Sequence, residues 1–265
     1  MKIVVCVKQV PDTTDVKIDP KKGTLMREGV AAILNPFDMY AVEEALRLKE
    51  KHGGEIYAIT MGPPQAIEAL RECISMGIDE AILVSDRAFA GSDTWATSYT
   101  IAHAIKALGN VDIVICGKQA SDGDTAQVGP GVAEFLGVPF VAFVKKVESL
   151  DLQNRRIRVQ RMMETGYDII EMSFPGVITV VKEINEPRLP SIRGKMRSRK
   201  YEPRVWGPND IKADPKHLGL DASPTRVIHI FNPEIRRQGE MIEGETADEK
   251  VDTLYAKLKE TGVVI

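Results

Sequence analysis

Short apolar runs alternate with helical stripes through the first half of the chain. Lys2–Val7, Glu55–Thr60, Ala81–Val84 and Val111–Cys116 are continuous apolar stretches of the kind buried on both faces of a parallel sheet. Between them the period lengthens. Phe37, Ala41, Ala45 and Leu48 form one helical stripe. Ile67, Leu70, Cys73 and Ile74 form a second, and Ala102, Ile105 and Leu108 a third. Gly53-Gly54 and Gly77 stop the first two helices. A fourth helical pattern runs from Val128 to Leu136. This β-α repetition predicts an α/β fold, an open parallel sheet with helices on both faces.

Beyond Val138 the period changes. Val138–Val147, Ile157–Arg161, Tyr167–Ser173 and Gly176–Val181 are strand-like runs with no helix between them, and Glu164-Thr-Gly166 suits a hairpin turn. They predict an antiparallel or mixed β-rich extension. A smaller hairpin is expected where Val16–Asp19 and Thr24–Arg27 flank Pro20-Lys-Lys-Gly23, and Lys8–Asp12 reads as a loop.

Residues 185–204 are basic and broken by Pro187, Pro190 and Gly194. Ile192 and Met196 stand as isolated apolar residues among the arginines and lysines. That pattern fits a solvated loop, a nucleic-acid arm, or a docking loop for an acidic protein. The tail, Glu245–Thr261, is a charged helical arm with a narrow stripe of Val251, Leu254 and Leu258, suited to packing on its own domain or on a partner subunit, the partner being favoured. The expected division is therefore 1–184 for the α/β domain with its extension, 185–204 for the docking loop, and 205–265 for a loop-rich segment and arm.

Composition narrows the picture. The 265 residues are 43% hydrophobic and 28% charged, with a net charge of −3, which argues against nucleic acid as the main partner. No apolar run is long enough for a membrane span, and a cytoplasmic chain, or an organellar one after processing, is expected. Cys6, Cys73 and Cys116 form no CxxC and fall on apolar faces, and the four histidines have no ligand spacing, so no metal site is expected.

The candidate chemistry lies in loops at the carboxyl ends of the predicted strands. Gly117 to Gly131 reads GKQASDGDTAQVGPG between a strand and a helix, where free N–H groups and a helix dipole favour a phosphate. It matches neither GxGxxG nor the P-loop pattern, and an ordinary βα loop is the alternative. Asn35-Pro36-Phe37-Asp38 opens a helix with a capping-box-like arrangement. Those residues serve as caps, or meet a ligand at the same edge.

Four blocks together carry a resemblance. Val5–Asp12 (VCVKQVPD), Leu34–Glu50 (LNPFDMYAVEEALRLKE), Gly117–Pro130 (GKQASDGDTAQVGP) and Val159–Ser191 resemble, in order, the electron transfer flavoprotein β subunit. The resemblance implies an adenine nucleotide α-hydrolase-like fold and a heterodimer with a homologous α subunit that carries FAD. It also implies an adenine nucleotide at the sheet edge. That nucleotide is AMP in conventional members, and a second FAD, reduced by NADH, in electron-bifurcating ones.

By position, the implied cofactor contacts are Cys6 through its backbone, Asn35, Pro36, Phe37, Asp38 and Met61. With them come Gly117, Lys118, Gln119, Ala120, Ser121, Asp122, Gly123, Asp124, Thr125, Ala126, Gln127 and Val128. Gly123, where many conventional members carry an acid, resembles the bifurcating group, as do Thr94 and Thr97, which would face the flavin ring. Helix capping is the alternative for the threonines.

In the bifurcating reading, electrons from NADH divide between ferredoxin or flavodoxin and, through the α-subunit FAD, a flavin dehydrogenase such as an acyl-CoA dehydrogenase. No catalytic acid, base or nucleophile is required. The basic segment matches the family's recognition loop, giving Arg188, Ile192, Arg193 and Met196 as partner contacts, with Ile192 where a leucine anchor is usual. A one-flavin carrier with AMP, or an adenine-nucleotide sensor, are the alternatives.

Overall fold

The computed structural model describes residues 1–12, 32–228 and 239–263. Two compact units are resolved, a body up to residue 228 and a C-terminal arm from residue 239. In chain order the body begins with β1 (Lys2–Cys6), β2 (Gln9–Pro11), β3 (Ala32–Leu34), α1 (Pro36–His52) and β4 (Glu55–Met61). It continues with α2 (Ile67–Met76), β5 (Glu80–Val84), α3 (Thr94–Leu108), β6 (Ile113–Gly117) and α4 (Val128–Leu136). Then come β7 (Phe140–Asp151), β8 (Arg156–Met162), β9 (Tyr167–Ser173), β10 (Gly176–Val180), α5 (Ile192–Arg199), β11 (Arg204–Trp206) and the short α6 (Gly219–Ala222).

One nine-stranded sheet carries the body, in the order β11-β5-β4-β1-β6-β10-β7-β8-β9. The strands from β11 to β7 are parallel, and β8 and β9 are antiparallel additions. From β1 the chain steps outward to β4 and β5, then returns to the far side of β1 for β6. The direction of winding therefore reverses between β1 and β6. On one face α1 and α2 pack over Ile3, Val5, Ile56 and Ile115. On the other, α3 and α4 pack over Val4, Ile59, Val114 and Cys116. The alternation within each strand thus feeds two cores, which is why the runs read as continuously apolar.

The predicted fold class holds, with three corrections of detail. Gly176–Val180 is not part of an outer extension: it inserts between β6 and β7 as a fully buried parallel strand. Its apolar run, interrupted only by Thr179, is a central-strand signal that the neighbouring hairpin pattern masked. Part of the Lys8–Asp12 loop forms a strand, β2, which pairs antiparallel with β3. The Val16–Arg27 hairpin lies outside the described residues. Residues 192–199 form a helix despite Gly194. Ser191 caps it by accepting the Gly194 N–H at 2.9 Å, and Gly194 is where α5 meets α2: a Cβ there would strike the Ser75 carbonyl.

The long strand β7 starts parallel on β10 and continues antiparallel with β8, with register shifts and a left-handed Phe143 (φ 57°) where it bends. The arm holds α7 (Ala247–Glu260), closed at its start by a Thr246–Glu249 capping box. Among the described residues no helix is long and apolar enough to cross a membrane.

Candidate functional site

The reversal between β1 and β6 places the carboxyl ends of both strands, and the loops they feed, side by side. Open parallel sheets bind ligands at such a point. Cys6 and Cys116 are in register there, and both are buried.

The start of α1 is built differently from a simple cap. Pro36 occupies the first helical turn, where its missing N–H costs nothing. Asn35 makes no side-chain cap. Its amide instead reaches the glycine loop: Nδ2 donates to the Gln119 carbonyl at 2.9 Å, and Oδ1 accepts the Ser121 N–H at 3.1 Å. Its own N–H donates to the Lys8 carbonyl at 2.9 Å. The expected capping role of Asn35 gives way because these bonds lie inside the protein, where an unpaired amide is costly.

Asp38 is likewise not a capping-box partner. It is 6% exposed, and its Oδ2 accepts the Lys8 N–H at 2.8 Å. Burial pushes its pKa up to about 7, against the lowering effect of hydrogen bonds from Asn35, Lys8 and Gly117 and of the Lys8 charge. Gly117 has no room for a side chain, because a Cβ would strike Asp38 and the backbone of Phe37.

The glycine loop is tethered at both ends and exposed between them. The Lys118 N–H donates to the Val180 carbonyl at 2.9 Å, which holds the loop's root to β10. Asp122 accepts both contacts of the Lys8 ammonium, at 2.6 and 2.9 Å. The Gln119 side chain bonds Asp124. Asp124 and Ala126 adopt left-handed backbone (φ 52° and 54°), uncommon for non-glycine residues. Gly123, by contrast, has no positive φ, and nothing lies within 4 Å of the position a Cβ would take.

The loop ends where α4 begins, and the glycines there are steric. A Cβ at Gly129 would strike the Thr179 side chain, and one at Gly131 the Ser98 hydroxyl. The start of α4 therefore sits tightly against β10 and α3.

The α3 start closes the cluster. Asp93 caps it, accepting the Trp95 and Ala96 N–H groups at 2.9 and 3.1 Å, and also accepts the Thr225 N–H and hydroxyl at 2.9 and 2.8 Å. Burial works against its ionisation, but the donors at Ala96, Thr225 and Trp95 outweigh it and hold the carboxyl below its ordinary value. The Thr94 hydroxyl donates to Gln127 Oε1 at 2.8 Å, joining the α3 and α4 starts, and Thr97 lies half-buried one turn on. Met61 ends β4, half-buried at the same sheet edge.

The structure thus brings Cys6, Asn35–Asp38, Met61, Thr94, Thr97 and Gly117–Val128 to one edge. Lys8 was missed as a partner of the loop. Its lysine in a predicted edge loop, with an aspartate on the glycine loop, was the available signal.

Arg188, Ile192, Arg193 and Met196 lie elsewhere, where residues 185–199 cross α1 and α2. Arg188 forks onto the buried Glu43, with Nε to Oε2 at 2.8 Å, and bonds Glu50. Asn185 bonds the Tyr40 carbonyl at 3.0 Å and Glu44 at 3.1 Å. Arg197 donates to the Ile78 and Asp79 carbonyls. Ile192 (83% exposed) and Met196 (65%) project from α5, and Leu189 (90%), which sequence reasoning passed over, precedes them.

The arrangement defines an α/β protein with a loop cluster at the reversal point of its sheet and a separate, apolar-tipped basic segment. Comparison with known proteins names the family. The electron transfer flavoprotein domain model matches residues 22–210. The chain is 50% identical to the caffeyl-CoA reductase-Etf complex subunit CarD of Acetobacterium woodii, over 100% of both chains. It is 48% identical to the electron transfer flavoprotein subunit beta of Clostridium acetobutylicum, over 98% of each, and 44% identical to protein FixA of Azotobacter vinelandii, over 97% of this chain and 94% of that one. The chain belongs to the electron transfer flavoprotein β subunit family, a family of FAD-binding electron-transfer proteins.

Proposed function

We propose that this chain binds FAD at the β1–β6 edge and works with a homologous α subunit as an electron-bifurcating electron transfer flavoprotein. The observation that carries the choice of FAD over AMP is Gly123. Neither its φ nor its surroundings require a glycine for folding, so the missing side chain is available to a ligand. Its exposed loop has left-handed turns at Asp124 and Ala126, the kind of backbone that turns N–H groups toward an anion. The residues present fit a dinucleotide: the loop for the pyrophosphate, and the Thr94 and Thr97 hydroxyls further along the edge for the ring.

When bound, FAD supplies the hydride and single-electron chemistry that would divide electrons from NADH between ferredoxin or flavodoxin and, through the α-subunit FAD, a partner flavin dehydrogenase. The chain's own work is positional. Asn35 and Lys8 fix the glycine loop from the α1 side, Thr94 and Gln127 fix it from the α3 side, and the Gly129–Gly131 packing sets the α4 start.

Residues 185–204 form the partner-recognition segment in this reading, with Leu189, Ile192 and Met196 as apolar anchors beside Arg193. Arg188 braces that segment from inside. The α7 stripe, Val251, Leu254 and Leu258, packs on the α subunit.

Cofactor content of the purified heterodimer, by visible absorption and mass spectrometry, tests the reading. Two FAD per heterodimer is expected. One FAD with one AMP replaces it with the one-flavin carrier, and a flavin-free homodimer holding ATP or AMP points to a nucleotide sensor.

A further inference from the structure

We propose that Asp38 is the positioning residue of the nucleotide edge: its single buried carboxylate ties the end of β1, the start of α1 and the root of the glycine loop together, and it takes up a proton when an anionic nucleotide binds. The inference rests on the nucleotide reading above and adds a proton to it.

The geometry is convergent. Asp38 Oδ2 accepts the Lys8 N–H at 2.8 Å, at the exit of β1. Gly117, at the exit of β6, lies so close that a Cβ there would strike the carboxylate. Asn35, one turn before Asp38, is bonded to both the Lys8 carbonyl and the glycine loop. Moving Asp38 therefore moves all three pieces of the edge.

Electrostatics favour protonation, and the proton comes from solvent. A carboxylate 6% exposed sits beneath a loop suited to phosphates. Burial has already brought its pKa to about 7, so a small added field changes its occupancy near neutral pH. A bound pyrophosphate places negative charge on the same edge and favours the neutral form. The neutral carboxyl keeps an acceptor oxygen for the Lys8 N–H, so the tie survives while the repulsion is removed.

The groups facing Asp38 do not substitute for it. Lys8 is engaged by Asp122. The Cys73 thiol on α2 is pushed above its ordinary value by burial and by the Asp38 charge. The Cys116 thiol is pushed up by its hydrogen bond with Cys6, by burial and by Asp38. Both thiols therefore stay protonated through neutral pH, which leaves Asp38 as the group that changes.

The test uses the full-length chain in complex with its α subunit, stripped of nucleotide at this edge and titrated with FAD, whose pyrophosphate does not itself titrate near neutrality. Calorimetry in buffers of different ionisation enthalpy should show proton uptake of up to one per FAD at pH above about 7. The affinity should fall by up to about tenfold per pH unit there, as linkage requires. Asp38→Asn should bind FAD with a flat pH profile and no uptake. A merely structural residue would weaken binding at every pH and leave the slope in place.

Should the variant not fold, infrared difference spectra of the wild-type complex decide, through a new protonated-carboxyl band on FAD binding. FAD binding with no uptake, or with uptake unchanged in Asp38→Asn, overturns the assignment. Failure to bind FAD at any pH, with AMP or ATP bound instead, overturns the FAD reading itself, and the coupling is then refuted by a pH-independent affinity for that nucleotide after correction for its own phosphate.

Discussion

Replacing Arg188 with alanine should release the proposed recognition segment and leave the proposed nucleotide edge intact. Arg188 reaches Glu43 by its Nε (2.8 Å), its main-chain N–H (3.1 Å) and Nη2 (3.2 Å), and Glu50 by Nη1 and Nη2. Glu50 is exposed, so that half contributes at most about 1 kcal/mol. Glu43 is 2% exposed, and stranding a buried carboxylate costs about 3–5 kcal/mol when it loses all its partners. Here it does not. The Arg47 Nε stays on Glu43 Oε1 at 2.7 Å, and the residue-188 N–H remains. Water also gains access as the guanidinium leaves. The loss is therefore about 2 kcal/mol, near thirtyfold in local opening.

Hydrogen exchange is the assay. Amides of residues 185–200 should lose about thirtyfold in protection, at 1.4 kcal/mol per tenfold, while those of Gly117–Val128 change little. Turnover with the partner dehydrogenase should show a raised KM at unchanged flavin content. Arg188→Lys should rescue poorly, since a lysine cannot fork onto two carboxylates.

The brace also has a pH signature. Burial opposes the ionisation of Glu43, but the hydrogen bonds from Arg188 and Arg47 outweigh it and hold its pKa below the ordinary value. Its contribution is therefore complete above the unfolded glutamate pKa and disappears as pH falls through the depressed one. Arg188→Ala should flatten that acid limb. Unchanged protection and an unchanged KM in Arg188→Ala would refute the brace.

Gly194→Ala drives a methyl into the Ser75 carbonyl, so it should cost about 1–3 kcal/mol and weaken partner docking, read by melting and by KM. Asp93→Ala removes the α3 cap and both Thr225 bonds; a loss of about 1–2 kcal/mol in chemical denaturation, with weaker flavin retention, is expected. Gly123→Asp should lower FAD content without lowering the melting temperature, because the fold does not need glycine there. Leu254→Asp puts a charge in the exposed α7 stripe and should shift the heterodimer toward free subunits in gel filtration.

Much of the fold was legible because parallel strands buried on both faces and helices with glycine stops leave strong periods. The limits of α4 at Val128 and Leu136 were readable to the residue. Two kinds of element were not. Gly176–Val180 looked like one more strand of a hairpin series, since nothing in a local pattern says that it returns to lie between β6 and β7. The α5 helix was hidden by Gly194, whose role is a close contact with α2 and not a break. The edge loops were legible as a set, but the uses of their side chains were not. Asn35 and Asp38 carry the local signature of a cap, and only long-range contact turns them toward the loops instead.

Those contacts give α1 a role that its sequence does not announce. Its first turn carries Asn35 and Asp38, tied to the end of β1 and the glycine loop. Its middle carries the buried Glu43 and Glu44, tied to Arg188 and Asn185 at the start of the proposed recognition segment. An amphipathic surface helix would bury apolar residues alone. This one also buries three acids, each held by hydrogen bonds whose other end lies in a separate loop. Buried polar groups of this kind add little net stability but fix one geometry, because each alternative leaves a charge unpaired. The proposed nucleotide edge and the proposed docking segment are thus both tied to a single helix. If partner binding at Leu189 and Ile192 alters flavin properties, the path runs along α1. The Arg188→Ala variant should then lose that response while keeping its flavin.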